Sequence, residues 1–196
     1  MDEKNLERLR EKYQEDSEGF PFDPRFRRVA ERVFSKGTRS TPYSGLPTLL
    51  SAPYMPKGID DEGFRNLDVA LVGVPMDLGA SNRAGARFGP RALRTIERIG
   101  PYNHVLDCSP LGELKVADVG DIQFRSRYSL DQCHEDIEAY FRRVIEAGVA
   151  PLAVGGDHSI TQSILRAVGD KQPVGVVHID AHCDTGGKYD GTRFHH

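Results

Sequence analysis

No stretch of this sequence is apolar for long enough to cross a bilayer. A spanning helix needs roughly 20 such residues, and the mean hydropathy is -0.48. A basic excess is also missing. The net charge of -3 leaves no bias toward nucleic acid. Cysteine is scarce: Cys108, Cys133 and Cys183 form no paired motif. That excludes a disulfide framework and leaves reduced thiols in a cytoplasmic protein as the expectation. Residues 1–16 are too charged for a secretory leader. Internal repeats and low-complexity tracts are absent. What remains is a chain of 196 residues, 38% hydrophobic and 28% charged, with room for one domain and a real core.

Residues 1–66 read as an N-terminal arm. A charged helix is expected over residues 1–16, with Leu6, Leu9 and Tyr13 at helical spacing, and a second short helix over 25–34. Residues 35–56 are rich in Gly, Pro, Ser and Thr. The arm has too few apolar residues for a core of its own, so it is expected to pack on the main domain or on a neighbour.

From residue 67 the texture changes. Apolar runs at 67–74, 114–119, 150–154 and 173–179 read as strands. Helices are expected at 90–99, from Ser129 to near Gly148, and at 159–168. Ser129 with Gln132 has capping-box spacing. Strands alternating with helices predict an α/β fold with a mainly parallel sheet covered on both faces.

The chemistry collects at two strand ends. Residues 174–184 read VGVVHIDAHCD, with Asp180, His182 and Asp184 spaced by two. In an extended backbone these three share one face. Two carboxylates and an imidazole on one face are costly to desolvate unless a cation holds them. Residues 155–158 read GGDH and follow the preceding strand. Ligands in open α/β sheets bind outside the carboxyl ends of strands, so His158 is expected beside Asp180. Oxygen and imidazole donors without thiolate favour a divalent ion, manganese first, with nickel, cobalt or zinc as alternatives. Cys183 is expected to point away by alternation and to serve as packing. Asp157 is a candidate to orient His158. His178 is a candidate outer partner of the same site or a core histidine. His134, Glu135 and Asp136 read as solvated helix surface.

At these residues the chain resembles the ureohydrolase family, which includes arginase and agmatinase. GGDHSI at 155–160 and HIDAHCD at 178–184 are similar to two of that family's three metal signatures. SNRAGARFGPRALR at 81–94 is similar to its active-site loop, and to the agmatinase branch in particular. GLPTLL at 45–50 is similar to a segment of that branch. The resemblance covers 67–196 and implies an arginase-like three-layer α/β sandwich, incomplete in this chain.

It also implies a binuclear manganese centre. His158 and Asp184 would hold one ion, His182 the other, and Asp180 would bridge them. His196 would act in proton transfer or substrate positioning, with His195 the weaker match. The loop 77–87 would line the pocket mouth, where Asn82 and Arg83 would either meet the substrate or stabilise the loop through a hydrogen bond or ion pair. The implied reaction releases urea from a guanidino compound, agmatine first. Guanidinobutyrate, guanidinopropionate and free guanidine are the alternatives. A homo-oligomer, trimer or hexamer, is implied as well.

The family's third metal signature, a later D-x-D, is not among these residues. The chain therefore reads as the N-terminal part of a longer protein, expected to be inactive alone. A competing reading is a non-catalytic ureohydrolase fragment that serves only as an assembly partner.

Overall fold

Three of the four expected apolar runs form one parallel sheet in the computed structural model, which describes residues 2–13, 45–96, 103 and 105–195. Helix α1 (Glu3–Tyr13) occupies the expected N-terminal position. The helix expected over 25–34 lies outside the described residues. Strands β1 (Val69–Val74), β2 (Val116–Asp121) and β3 (Ala150–Gly155) pair in the order β2-β1-β3, all parallel. Strand β1 is central and nearly all buried, as its β-branched run requires when both faces are covered.

Alternation along β1 assigns the two faces. Ala70, Val72 and Val74 point into the larger core, where they meet Ile137, Phe141 and Val144 of helix α4 (Leu130–Glu146). Helix α5 (Ile160–Val168) closes the same side through Ile160 and Ala167. Leu71 points to the opposite face and packs with Leu49, Ala52 and Leu111. Short helices α2 (Gly89–Arg94) and α3 (Pro110–Glu113) connect β1 to β2. Both start with proline in the first turn, where its missing N–H costs nothing. Ser129 caps α4, its hydroxyl accepting from the Gln132 amide at 3.4 Å.

Residues 45–66 lie against the domain. Phe64 enters the larger core. The Asp118 amide donates to Pro53 and the Met55 amide to Asp118, each at 2.9 Å, which covers part of the outer edge of β2. At the other edge, the fourth expected strand does not form. Residues 173–179 are exposed and have no ladder partner among the described residues. An apolar run becomes a strand only where neighbours take up its amides and cover both faces. The described residues supply neither there.

Asp118 sits in the middle of β2 with no exposure. Arg94 of α2 grips it with two bonds, Nε to Oδ2 at 2.8 Å and a terminal nitrogen to Oδ1 at 2.9 Å. The same carboxylate accepts from the Leu49 amide at 2.8 Å and the Gly120 amide at 3.0 Å. Burial pushes this carboxyl up, but Arg94 and the two amides outweigh it and leave it below its usual range. The sheet, α2 and the 49–51 turn thus share one buried anion.

Candidate metal centre

The turn after β3 carries His158, and helix α5 starts directly behind it. The segment 178–184 comes alongside. His158 Nε2 lies 3.2 Å from His178 Nε2 and 3.2 Å from Asp184 Oδ2. Asp180 Oδ2 lies 3.8 Å from His158 Nε2 and 3.6 Å from His178 Nε2. One donor atom from each of the four falls within 4.8 Å of the others. Donors that each sit about 2.1 Å from one ion are about 3.0–3.6 Å apart. The spacing and the nitrogen and oxygen donor set therefore fit a divalent cation.

Three of the four expected ligands meet in this cluster, and His178 is the fourth member. His182 lies to one side, with its side chain 81% exposed and Nδ1 3.2 Å from Asp180 Oδ1. The cause is local. Asp180 Oδ1 accepts from the His182 amide at 2.9 Å, an Asx-type turn that bends the chain out of extended geometry. Alternation stops at that bend, and Asp184 takes a positive φ of 48°. Cys183, expected to pack, is exposed for the same reason. The His182 amide holds the Asp180 carboxyl below its usual range, against a smaller effect of burial.

Asp157 is buried and serves the neighbouring loop. Its Oδ2 accepts from the Gly79 amide at 2.7 Å, and its Oδ1 accepts from the Ser159 amide at 3.0 Å and the Ser159 hydroxyl at 2.5 Å. Asn82 and Arg83 are exposed at the tip of that loop. They line a broad cleft of about 1590 Å³ together with His158, His178, His182 and Asp184. That exceeds the roughly 300–1,000 Å³ of a pocket that encloses a small ligand, so these residues form an open wall. His195 bonds to the Gly187 carbonyl at 2.8 Å, and His196 lies outside the described residues.

His134 corrects the sequence reading. It is buried, not solvated. The Ser159 hydroxyl donates to Asp157, so His134 Nε2–H donates to Ser159 Oγ at 3.3 Å. His134 Nδ1 then accepts from the Ser163 hydroxyl at 2.9 Å. Phe194 stacks on the ring at 3.7 Å. His134 precedes Ile137 and Phe141 by three and seven residues, a spacing that places it on the buried face.

Burial pushes this imidazole down to about 4. Below pH 6.5 the unfolded chain takes up a proton that the folded chain refuses. Stability is therefore expected to fall as pH drops from 6.5 toward 4, by at most about 3 kcal/mol. Urea melts across that range, compared with His134→Gln, check the slope. An unchanged slope in the variant would assign it elsewhere.

A model of the arginase family matches residues 67–196. The chain belongs to the arginase family. It is 46% identical over 132 residues to the mitochondrial agmatinase of Gallus gallus, covering 66% of this chain and 38% of the relative. The solved proclavaminate amidinohydrolase of Streptomyces clavuligerus superposes with a TM-score of 0.70 at 33% identity, covering 80% of this chain and 50% of that one. A formiminoglutamase variant of Trypanosoma cruzi, solved with Mn2+, superposes with a TM-score of 0.59 at 32% identity, covering 69% of this chain and 46% of that one. This arginase-family chain thus spans half or less of the length of each of these relatives. No described helix is long and apolar enough to cross a membrane.

Proposed function

We propose that this chain carries the first half of a binuclear metal centre in an amidinohydrolase that releases urea from a guanidino compound. One observation carries the reading. Asp180 presents its two oxygens to two different donor sets. Oδ2 faces His158 and His178, and Oδ1 faces His182 Nδ1. A carboxylate placed in this way suits a bridge between two cations. His158, His178 and Asp184 would join it at one ion, and His182 would join it at the other.

A divalent metal pair held by these residues would supply the Lewis acidity that activates water near neutral pH. The remaining work belongs to side chains. Asp180 and Asp184 supply the negative charge that keeps cations in place. Asn82 and Arg83 hang over the cleft, where the far end of a substrate would lie. His196 is the candidate to protonate the departing amine, a step suited to an imidazole that titrates near the working pH.

Agmatine is the first substrate implied by resemblance to the agmatinase branch. A guanidino acid is the second reading, and one feature favours it. Among the described residues, the cleft is lined by the cationic Arg83, Lys188 and Arg193 and by the acidic Asp184 of the metal cluster. A carboxylate at the far end of the substrate would be attracted there, and the ammonium of agmatine repelled.

The test is metal analysis and urea release by the complete gene product, over agmatine, guanidinobutyrate, guanidinopropionate and guanidine. About two manganese ions per chain and urea from one of the four are expected. Metal-free protein with no urea from any of them ends the hydrolase reading. Robust turnover by residues 1–196 alone would overturn the claim that they hold only half of the centre.

A further inference from the structure

The loop that lines the cleft is held at both ends and exposed in the middle. At its start, the Gly79 amide donates to buried Asp157 at 2.7 Å. The backbone passes so close that a Cβ at Gly79 would lie 2.5 Å from the Ser159 hydroxyl oxygen and 2.8 Å from its Cβ. At its end, Asp77 closes the loop onto itself. Asp77 Oδ2 accepts from the Gly85 amide at 2.7 Å and the Arg87 amide at 3.3 Å, and Oδ1 accepts from Arg87 Nε at 2.5 Å. Gly85 has a φ of 136°, which side-chain-bearing residues rarely adopt. The Gly156 amide donates to the Ala86 carbonyl at 3.2 Å, and the Asp157 amide to Met76 at 2.8 Å. Both loop ends are therefore tied to the turn that carries His158. Residues 81–84 between them are all exposed and reach the cleft through Ser81, Asn82 and Arg83.

We propose that Asp77 is a positioning residue for substrate recognition: with Asp157 it frames the loop, and so fixes how far Asn82 and Arg83 stand from His158. The proposal rests on the hydrolase reading above. Asp77 touches no part of the cleft itself and acts through the loop. Its side chain is fully buried, and its two oxygens meet N–H donors on both sides. Asparagine at this place would turn its own amide N–H against one of them, opening the frame without changing volume.

The loop contacts the far end of the substrate, so a freed loop weakens binding of substrate and transition state alike. Asp77→Asn in the complete gene product should therefore raise KM for its best guanidino substrate about tenfold, with kcat within about threefold. Hydrogen exchange at the Gly85 and Arg87 amides should speed up, while β1 and α4 keep their protection. Arg87→Met keeps the carboxylate and its amide bonds, so its KM should rise by a smaller factor, about threefold. This variant decides the matter if Asp77→Asn does not fold.

An unchanged KM in the variant that folds overturns the proposal, whatever the exchange shows. So does a fall in kcat at constant KM, which places the damage at the metal centre. A wild-type protein that releases no urea overturns the hydrolase reading, and this proposal with it. Wild-type turnover with no KM effect overturns this proposal alone.

Discussion

Arg94→Leu is expected to cost about 3–5 kcal/mol of folding stability, since it leaves a buried carboxylate without its partner. Asp118 has no exposure, and Arg94 supplies both of its charged hydrogen bonds. The Leu49 and Gly120 amides remain, but they are dipoles and do not cancel a charge. The pH dependence separates this cause from simple loss of packing. In the wild type the Asp118 carboxyl sits below its usual 3.8. Its contribution is therefore complete above that value and disappears as pH falls through the lowered one.

Without Arg94, burial is opposed only by the amides, and the carboxyl moves up. The folded variant then takes up a proton more readily than the unfolded chain, so its deficit shrinks as pH falls. Urea melts of both proteins at pH 7 and pH 5 measure this. A deficit under about 1 kcal/mol would class the pair with surface ion pairs. A deficit of equal size at both pH values would point to lost packing. The Arg125 bridge to Glu135 is the natural control: both partners are exposed, and its removal should barely register.

His158→Ala in the complete gene product should lower urea release by more than about 100-fold, the upper range for losing a mere partner of a metal ligand. His158 is the one member of the cluster delivered by the β3–α5 turn. His178, Asp180 and Asp184 all arrive on the following segment. Removing it detaches the centre from the sheet. Manganese retained after gel filtration should fall with activity. If the cluster holds the metal, added Mn2+ should stabilise the wild type by about 2.7 kcal/mol at 100 times Kd and the variant by less, read in thermal melts. Full metal content with lost activity would make His158 a substrate contact instead. Unchanged content and activity would remove it from the centre.

Much of this was legible in the residues. The runs at 67–74, 114–119 and 150–154 became β1, β2 and β3 because each pairs with a neighbour in the ladder and at least one of its faces packs on the core. Ser129 and Gln132 marked the start of α4 through capping-box spacing. What failed depended on partners that a sequence does not display. Residues 173–179 have strand composition, yet the described residues offer no ladder for them. Alternation extended through 184 puts His182 on the ligand face, but the Asp180 side chain accepts from the His182 amide and bends the chain there. His134 was hidden differently. Its spacing to Ile137 and Phe141 was available, and the charged neighbours Glu135 and Asp136 masked it. The buried pair of Asp77 and Asp157 joins positions 77 to 87 and 79 to 157, and no local pattern announces either link.

The unpaired run at 174–179 also bears on how the chain behaves in a tube. Val177 is 90% exposed and Ile179 93%. The segment is short, β-branched, free of proline from 174 onward and uncharged through 177. The outer edge of β3 likewise has no strand partner among the described residues. An open sheet edge and a bare apolar run in one chain are templates for cross-chain pairing. Residues 1–196 on their own are therefore a candidate for self-association into β-rich aggregates. A lysine placed at Val177 would be the conservative gatekeeper against it.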